Sequence, residues 1–308
     1  MRIVFFGTPD FAVAPLKSLL GSRHEVIAVV TQPDRQSGRG RKVHACPVKE
    51  EALKAGISVL QPEKVRAPEF INELRRLTPS VIVVVAYGQI LPLEIINFPE
   101  SGCINIHASL LPKYRGASPI NRAIVDGENK TGITTMLMDE GMDTGSILLQ
   151  EEIEIRPDDT AGSLSDRLSQ LGAHLILKTL EELKQGNVKP VPQTGESSYA
   201  PIMKKTDGLI DWTKSASELS NFIRGMNPWP GAYTFLEGGR IRILGVKVMD
   251  EVGEAGTVET VLKDELVIGT GNGSLSVLEI QPPGKKAMDV KSYLQGKKLE
   301  KGMKLTSQ

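Results

Sequence analysis

Cysteine is scarce: Cys46 and Cys103 are the only two in 308 residues. Their number and separation match neither a thiolate metal site nor a disulfide framework. Both read as structural residues, and a reducing cytoplasm is the expected setting. Net charge is missing as well, with 37 basic residues against 37 acidic ones. Any contact with nucleic acid must therefore come from a local patch. No apolar run approaches the roughly 20 residues that span a bilayer. The opening residues, MRIVFFGTPDF, go straight into a strand pattern with no signal or transit character. The first turn reads Gly7-Thr8-Pro9-Asp10 and lacks the G-x-G-x-x-G fingerprint, so no nicotinamide or flavin cofactor is expected.

What is present is a globular composition, 40% hydrophobic and 24% charged, long enough for one large or two ordinary domains. Arg2–Phe6 is a short apolar run of the kind buried in parallel sheets. A helix with Phe11, Leu16, Leu19 and Leu20 follows, stopped by Gly21, and Glu25–Val30 is the next strand. This β-α-β start predicts a doubly wound, mostly parallel Rossmann-like sheet. Further on, 48–55 and 69–77 read as helices and 57–60 as a strand. Val81–Ala86, VIVVVA, is the most strand-like run and is placed at the sheet centre. The acidic turn 139–145 joins strands over 132–138 and 146–150. Asp158-Asp159-Thr160 caps a long helix striped by Leu164, Leu168, Leu171 and Leu175. His174 on that helix reads as an ordinary surface or interhelix histidine.

The stretch 186–198 is rich in Pro, Gly and Ser and reads as a linker running on to about Thr206. Beyond it a helix over 217–226 precedes short strands separated by glycine turns: TFLEGGRIRIL, VKVM, TVETV, ELVIGT and GSLSVLEI. That spacing predicts a small OB-like β-barrel. The expected organisation is a catalytic domain over 1–189, a linker over 190–206 and a barrel over 207–308. Two basic stretches stand out. Residues 34–49 hold Arg35, Arg39, Arg41, Lys42 and Lys49 against Asp34 alone, in a segment read as a long structureless loop. Residues 285–304 hold seven lysines against Asp289 and Glu300. Each reads either as a solvated surface or as a phosphate-binding patch.

The chain is organised around Cys103–Gly116, CINIHASLLPKYRG. In a strand, side chains alternate faces with period two, so Asn105, His107 and Ser109 share one face. Pro112 cannot continue a central strand, and Ser109-Leu110-Leu111-Pro112 becomes a loop above His107. Ligand crevices of open α/β sheets lie outside the carboxyl ends of the strands, where this loop falls.

This stretch resembles the N10-formyltetrahydrofolate-dependent formyltransferases, which place an Asn, a His two residues on, a Ser-Leu-Leu-Pro loop, and an Asp downstream. KTDGLIDW and IRGMNPWPGAY extend the resemblance over nearly the whole chain. It implies the formyltransferase fold, with Asn105, His107 and Asp143 as catalytic residues. It implies 10-formyltetrahydrofolate as formyl donor, held by Gln89, Ile90 and Leu91 and by Ser109, Leu110, Leu111 and Pro112, and no metal. Within the family the resemblance is strongest to the branch that formylates initiator methionyl-tRNA. There a basic insertion, here Arg39, Arg41 and Lys42, enters the acceptor arm. A monomer is expected. Two alternatives stay open: formyl transfer to a small amine such as a nucleotide sugar or glycinamide ribotide, and a non-enzymatic folate- or RNA-binding module on the same fold.

The chemistry fits these side chains. An amine attacking a formyl carbon generates an oxyanion, which the Asn105 amide can meet. His107 can move the proton, since imidazole titrates near neutrality. Asp143 can orient His107, stabilise its charged form or take the proton through water.

Overall fold

The computed structural model describes residues 1–37 and 42–306. By compactness the chain forms two units, neither of them a single run of sequence. The first comprises residues 1–116, 131–153 and 165–199, and the second 117–130, 154–164 and 200–308.

The first unit begins with β1 (Arg2–Gly7), α1 (Val13–Leu20) and β2 (Glu25–Val30). The short β3 (Arg35–Ser37) and β4 (Lys42–His44) come next, then α2 (Pro47–Lys54), β5 (Val59–Leu60) and α3 (Pro68–Arg76). The chain continues through β6 (Val81–Val85), α4 (Leu93–Ile96) and β7 (Cys103–His107). After α5 (Pro119–Val125), which belongs to the second unit, come β8 (Lys130–Leu137), β9 (Ile147–Glu154) and α6 (Ala161–Gln185). The seven-stranded sheet runs β5-β2-β1-β6-β7-β8-β9, which puts β6 at its centre as the all-apolar sequence predicts. Pairs from β5 to β7 are parallel, and β8 adds antiparallel to β7.

Alternation fixes which face each strand residue serves. Val4, Phe6, Ile82, Val84 and Cys103 pack with Phe70 and Leu74 of α3 and Ile95 of α4. On the other face α6 lies close against β7: a Cβ on Gly172 would stand 3.0 Å from Ile106 Cγ2. Helices on both faces leave the strand ends as the open edge. Along α6, Leu168 and Leu175 are buried and His174 is exposed, the surface alternative of its reading.

Two expectations are corrected here. The basic stretch is not a structureless loop at its base: β3 and β4 pair antiparallel, Arg35 opposite His44 and Ser37 opposite Lys42. Its tip, with Arg39 and Arg41, lies outside the described residues. The stretch 186–198 is not a free connector either. Val191 bridges Ile147, and Arg115 N donates to Ser198 O at 2.8 Å.

The second unit contains α7 (Ala216–Met226), β10 (Tyr233–Leu236), β11 (Gly239–Met249) and β12 (Val258–Val261). Then come β13 (Leu266–Gly269), β14 (Ser274–Gln281), β15 (Met288–Asp289), α8 (Val290–Gly296) and β16 (Leu305–Thr306). The antiparallel sheet runs β12-β13-β14-β11-β10-β16, with β15 on β14. Its two ends are stitched together: Val258 N donates to Met303 O and Gly302 N to Val258 O, both at 2.8 Å. The sheet is thus curled into the expected barrel-like form around Ile210, Trp212, Ile243, Leu275 and Val277. RIRIL and VKVM, expected as two strands, are one strand bent by register shifts around Gly245. The lysine-rich end is not a plain tail, since α8 buries Val290 and Tyr293.

Candidate active site

His107 ends β7 and is 5% exposed. Its Nε2–H donates to Tyr114 O at 2.9 Å, because a carbonyl can only accept. That leaves Nδ1 facing Asp143 Oδ2 at 3.6 Å. Asn105 Nδ2 donates to Asp143 Oδ1 at 3.3 Å, and Gly116 N donates to Oδ2 at 2.8 Å. The three side chains singled out by the sequence therefore converge at the carboxyl end of β7. Asp143 has a left-handed backbone, φ 55°, which Asp tolerates better than most residues. Two residues on, Gly145 is mandatory for a different reason: a Cβ there would stand 1.7 Å from Leu137 O.

The loop above His107 is braced from below. Thr134 of β8, opposite His107 in the register and fully buried, donates from Oγ1 to Ser109 O at 2.7 Å. The same oxygen accepts from Leu111 N at 3.1 Å and from Gln150 Nε2 at 2.9 Å. Ser109 Oγ donates to Lys113 O at 2.6 Å and is fully buried, so its side chain holds the loop. Leu111 is buried, whereas Leu110 and Pro112 are partly accessible.

β6 pairs in parallel with β7, so the loop after β6 leaves from the same sheet edge. There the side chain of Gln89 is committed to bracing, its Oε1 accepting from Val65 N at 2.9 Å. Ile90 is 72% exposed, and Gln89–Leu91 enter no strand or helix. An exposed apolar side chain beside backbone outside any regular element suits a flat ligand with a polar edge. Tyr87 is buried beneath, and desolvation pushes its phenol up to about 12. It is a neutral core residue at working pH.

A cleft lined by Thr8, Gln32, Asp34, Arg35, His44 and Gly88 opens between the ends of β1, β2 and β6 and the base of the β3/β4 ribbon. A polar knot fixes that base. Gln61 Nε2 donates to Gln32 O at 2.8 Å and to Asp34 Oδ1 at 2.9 Å, while Lys49 Nζ reaches Asp34 Oδ2 and Gln61 Oε1. Hydrogen bonds from Lys49 and Gln61 hold the Asp34 carboxyl below its usual range. Lys49 and Asp34 thus neutralise each other, and the other basic residues of the stretch, by sequence, are Arg35, Arg39, Arg41 and Lys42. Lys42 belongs to β4 by its backbone.

The sequence reading missed Arg115 and Gln193. Arg115 Nε and Nη2 donate to Gln193 Oε1 at 3.1 and 2.7 Å. Gln193 Nε2 donates to the carbonyls of Asp143 and Gly145 at 2.8 and 2.9 Å. No local pattern signals this pairing, and Gln193 falls within the stretch read as linker. Among the described residues no cluster of His, Cys, Asp and Glu could hold a metal, and no helix is long and apolar enough to cross a membrane.

A doubly wound sheet that gathers Asn105, His107 and Asp143 at one strand end, followed by a barrel-like sheet, defines a two-part α/β protein with a polar site suited to acid–base chemistry. The chain belongs to the formyl transferase family: the family's N-terminal pattern, "Formyl transferase", matches residues 1–180, and "Formyl transferase, C-terminal domain" matches 202–298. A methionyl-tRNA formyltransferase from Lachnospira eligens is 51% identical over 313 residues, covering 99% of each chain. Among solved structures, WlaRD, a sugar 3N-formyl transferase seen with dTDP and 5-N-formyl-THF, superposes with TM-score 0.68 at 23% identity. That match covers 93% of this chain and 99% of WlaRD. HypX from Aquifex aeolicus in complex with tetrahydrofolic acid gives TM-score 0.66 at 18% identity over 96% of this chain, which spans 47% of HypX.

Proposed function

We propose that the protein transfers the formyl group of 10-formyltetrahydrofolate to the amino group of methionine on initiator methionyl-tRNA, for translation initiation. The observation that carries the reading is the convergence of Asn105, His107 and Asp143 at the end of β7, within a member of the formyl transferase family. The name of the full-length relative at 51% identity supports the tRNA substrate, and so do the four basic residues, with no acidic one, in the sequence of residues 35–42.

Asn105 spends one amide hydrogen on Asp143, and its second is free to meet the oxyanion developing on the formyl oxygen. His107 carries its resting proton at Nε2, on Tyr114 O, so the attacking amine's proton is received at Nδ1. The imidazolium so formed faces the Asp143 carboxylate, which orients and stabilises it. The proton then passes to the departing folate nitrogen. The folate, when bound, supplies the formyl group and the leaving amine. The backbone of 89–91, the exposed Ile90 and the loop 109–112 are the proposed walls for it, through Leu110 and Pro112 rather than the Ser109 side chain. The proposed organisation keeps a catalytic domain at 1–189, a linker at 190–206 whose first part, to Tyr199, is pinned to the first unit, and a tRNA-binding barrel at 207–308, consistent with the gap between the two family matches. We further propose a cytoplasmic monomer, which sedimentation would check.

The test is formyl transfer from 10-formyltetrahydrofolate to methionine-charged initiator tRNA, with a nucleotide-sugar amine as competing acceptor. N105A and H107A should each lower kcat about a hundredfold or more, a loss of about 3 kcal/mol in transition-state stabilisation, with folate binding nearly unchanged. Preference for the sugar amine would overturn the tRNA reading, and near-normal turnover by both variants would overturn the site.

A further inference from the structure

The turn that carries Asp143 is held by a residue outside both the turn and the catalytic strand. We infer that Gln193 is a positioning residue for the reaction, setting Asp143 against His107 through a clamp closed by Arg115; this rests on the reading of Asp143 proposed above. The chemistry of the clamp leaves one arrangement. Carbonyls only accept and a guanidinium only donates, so the Gln193 amide must turn its NH2 to the turn and its oxygen to Arg115. The NH2 grips the carbonyls of Asp143 and Gly145, at 2.8 and 2.9 Å, either side of Thr144. Arg115 grips the oxygen with two donors, at 3.1 and 2.7 Å.

Arg115 sits between the two backbone groups that complete the site. Tyr114 supplies the carbonyl that accepts from His107 Nε2, and Gly116 supplies the amide that donates to the Asp143 carboxylate. Ser198 ties the same loop again, its Oγ accepting from Tyr114 N at 2.9 Å and its carbonyl from Arg115 N at 2.8 Å. The segment 191–199 is therefore a strap joining the loop 113–116 to the turn 139–145. Asp143 needs such a strap. Its backbone is left-handed, and its carboxylate stands 3.6 Å from Nδ1, a spacing that a small drift of the turn would open. Catalytic geometry tolerates little displacement, and misplacing a group by about 1 Å can cost a hundredfold.

The variants Q193M and Q193E separate the parts of the clamp. Methionine keeps the length and loses all hydrogen bonds. Glutamate keeps a partner for Arg115 but cannot donate to the two carbonyls. Both should lower kcat by about 10- to 100-fold with KM for 10-formyltetrahydrofolate within about twofold of normal. R115M, which spares both donor bonds to the turn, should show a smaller loss of the same kind. The deciding measurement is a double-mutant cycle with D143N, which keeps the carbonyl gripped by Gln193 but removes the carboxylate charge. In the D143N background Q193M should cost less than about threefold more, because nothing is left to place. A role in folding alone would lower the melting temperature and leave kcat of the folded enzyme intact in either background. Full additivity, or a wild-type kcat in Q193E, overturns the inference. Normal activity of D143N by itself would instead overturn the catalytic reading of Asp143, which keeps the two failures apart.

Discussion

Thr134→Val removes one oxygen atom and changes little else in shape, yet that oxygen serves three partners. It donates to Ser109 O and accepts from Leu111 N and Gln150 Nε2. Gln150 retains a bond from the same nitrogen to Leu111 O at 2.9 Å, so its loss is partial. The other two are backbone groups of the buried residues Ser109 and Leu111. Each buried polar group left without a partner costs roughly 1–3 kcal/mol, so T134V should destabilise the first unit by about 2–6 kcal/mol. That is a large part of the roughly 5–15 kcal/mol that holds a typical domain. Thr134→Ser keeps the oxygen and loses a methyl, at about 0.8 kcal/mol. Urea unfolding of both variants gives the comparison, and hydrogen–deuterium exchange over the 105–115 peptide locates the effect. T134V should also release the loop 109–112 and raise KM for the folate donor. If T134V and T134S unfold within about 0.5 kcal/mol of each other, Thr134 is not the pin under this loop.

Three other outcomes are expected. Replacing Arg39, Arg41 and Lys42 together by Ala should cut kcat/KM for charged initiator tRNA and flatten its log–log salt slope by up to about three contacts' worth, while folate affinity holds; unchanged salt dependence would reduce this segment to a solvated surface. Burial pushes the Cys103 thiol up to about 12, whereas Cys46 is only half-buried, so a thiol reagent near pH 8 should label Cys46 in the native protein and Cys103 only in denaturant. Asp34 has a depressed folded pKa, so its contribution to stability is complete above its ordinary 3.8 and is lost as pH falls through the lower folded value. D34N should therefore show a shallower loss of stability on acidification below 3.8 than the wild type, read by thermal melts across that range, and equal slopes would remove Asp34 from the account.

The elements whose signal is local were legible in the chain itself. Apolar runs bounded by Gly and Pro placed β1, β2, β6 and β7, and the all-apolar VIVVV run fell at the centre of the sheet. Period-two alternation put Asn105 and His107 on one face before any fold was known, because that geometry belongs to a single strand. The stripe of α6 was equally local. Resemblance added the role of Asp143, which no periodicity could supply.

What the tertiary structure decided are the contacts between residues far apart in sequence. Asn105 meets Asp143 across 38 residues, and Arg115 meets Gln193 across 78. Isolated polar residues have no repeat to betray a distant partner, so Gln193 looked like linker material. The pairing of β3 with β4, the merging of two expected strands into β11, and the packing of α5 with α7 arise in the same way. In the last case Gly225 lets α7 approach so closely that a Cβ there would stand 2.6 Å from Val125 Cγ2. Local patterning specifies an element and the face it buries, because it is written in consecutive residues. Which backbone groups a lone side chain will satisfy depends on where the remainder of the chain comes to rest.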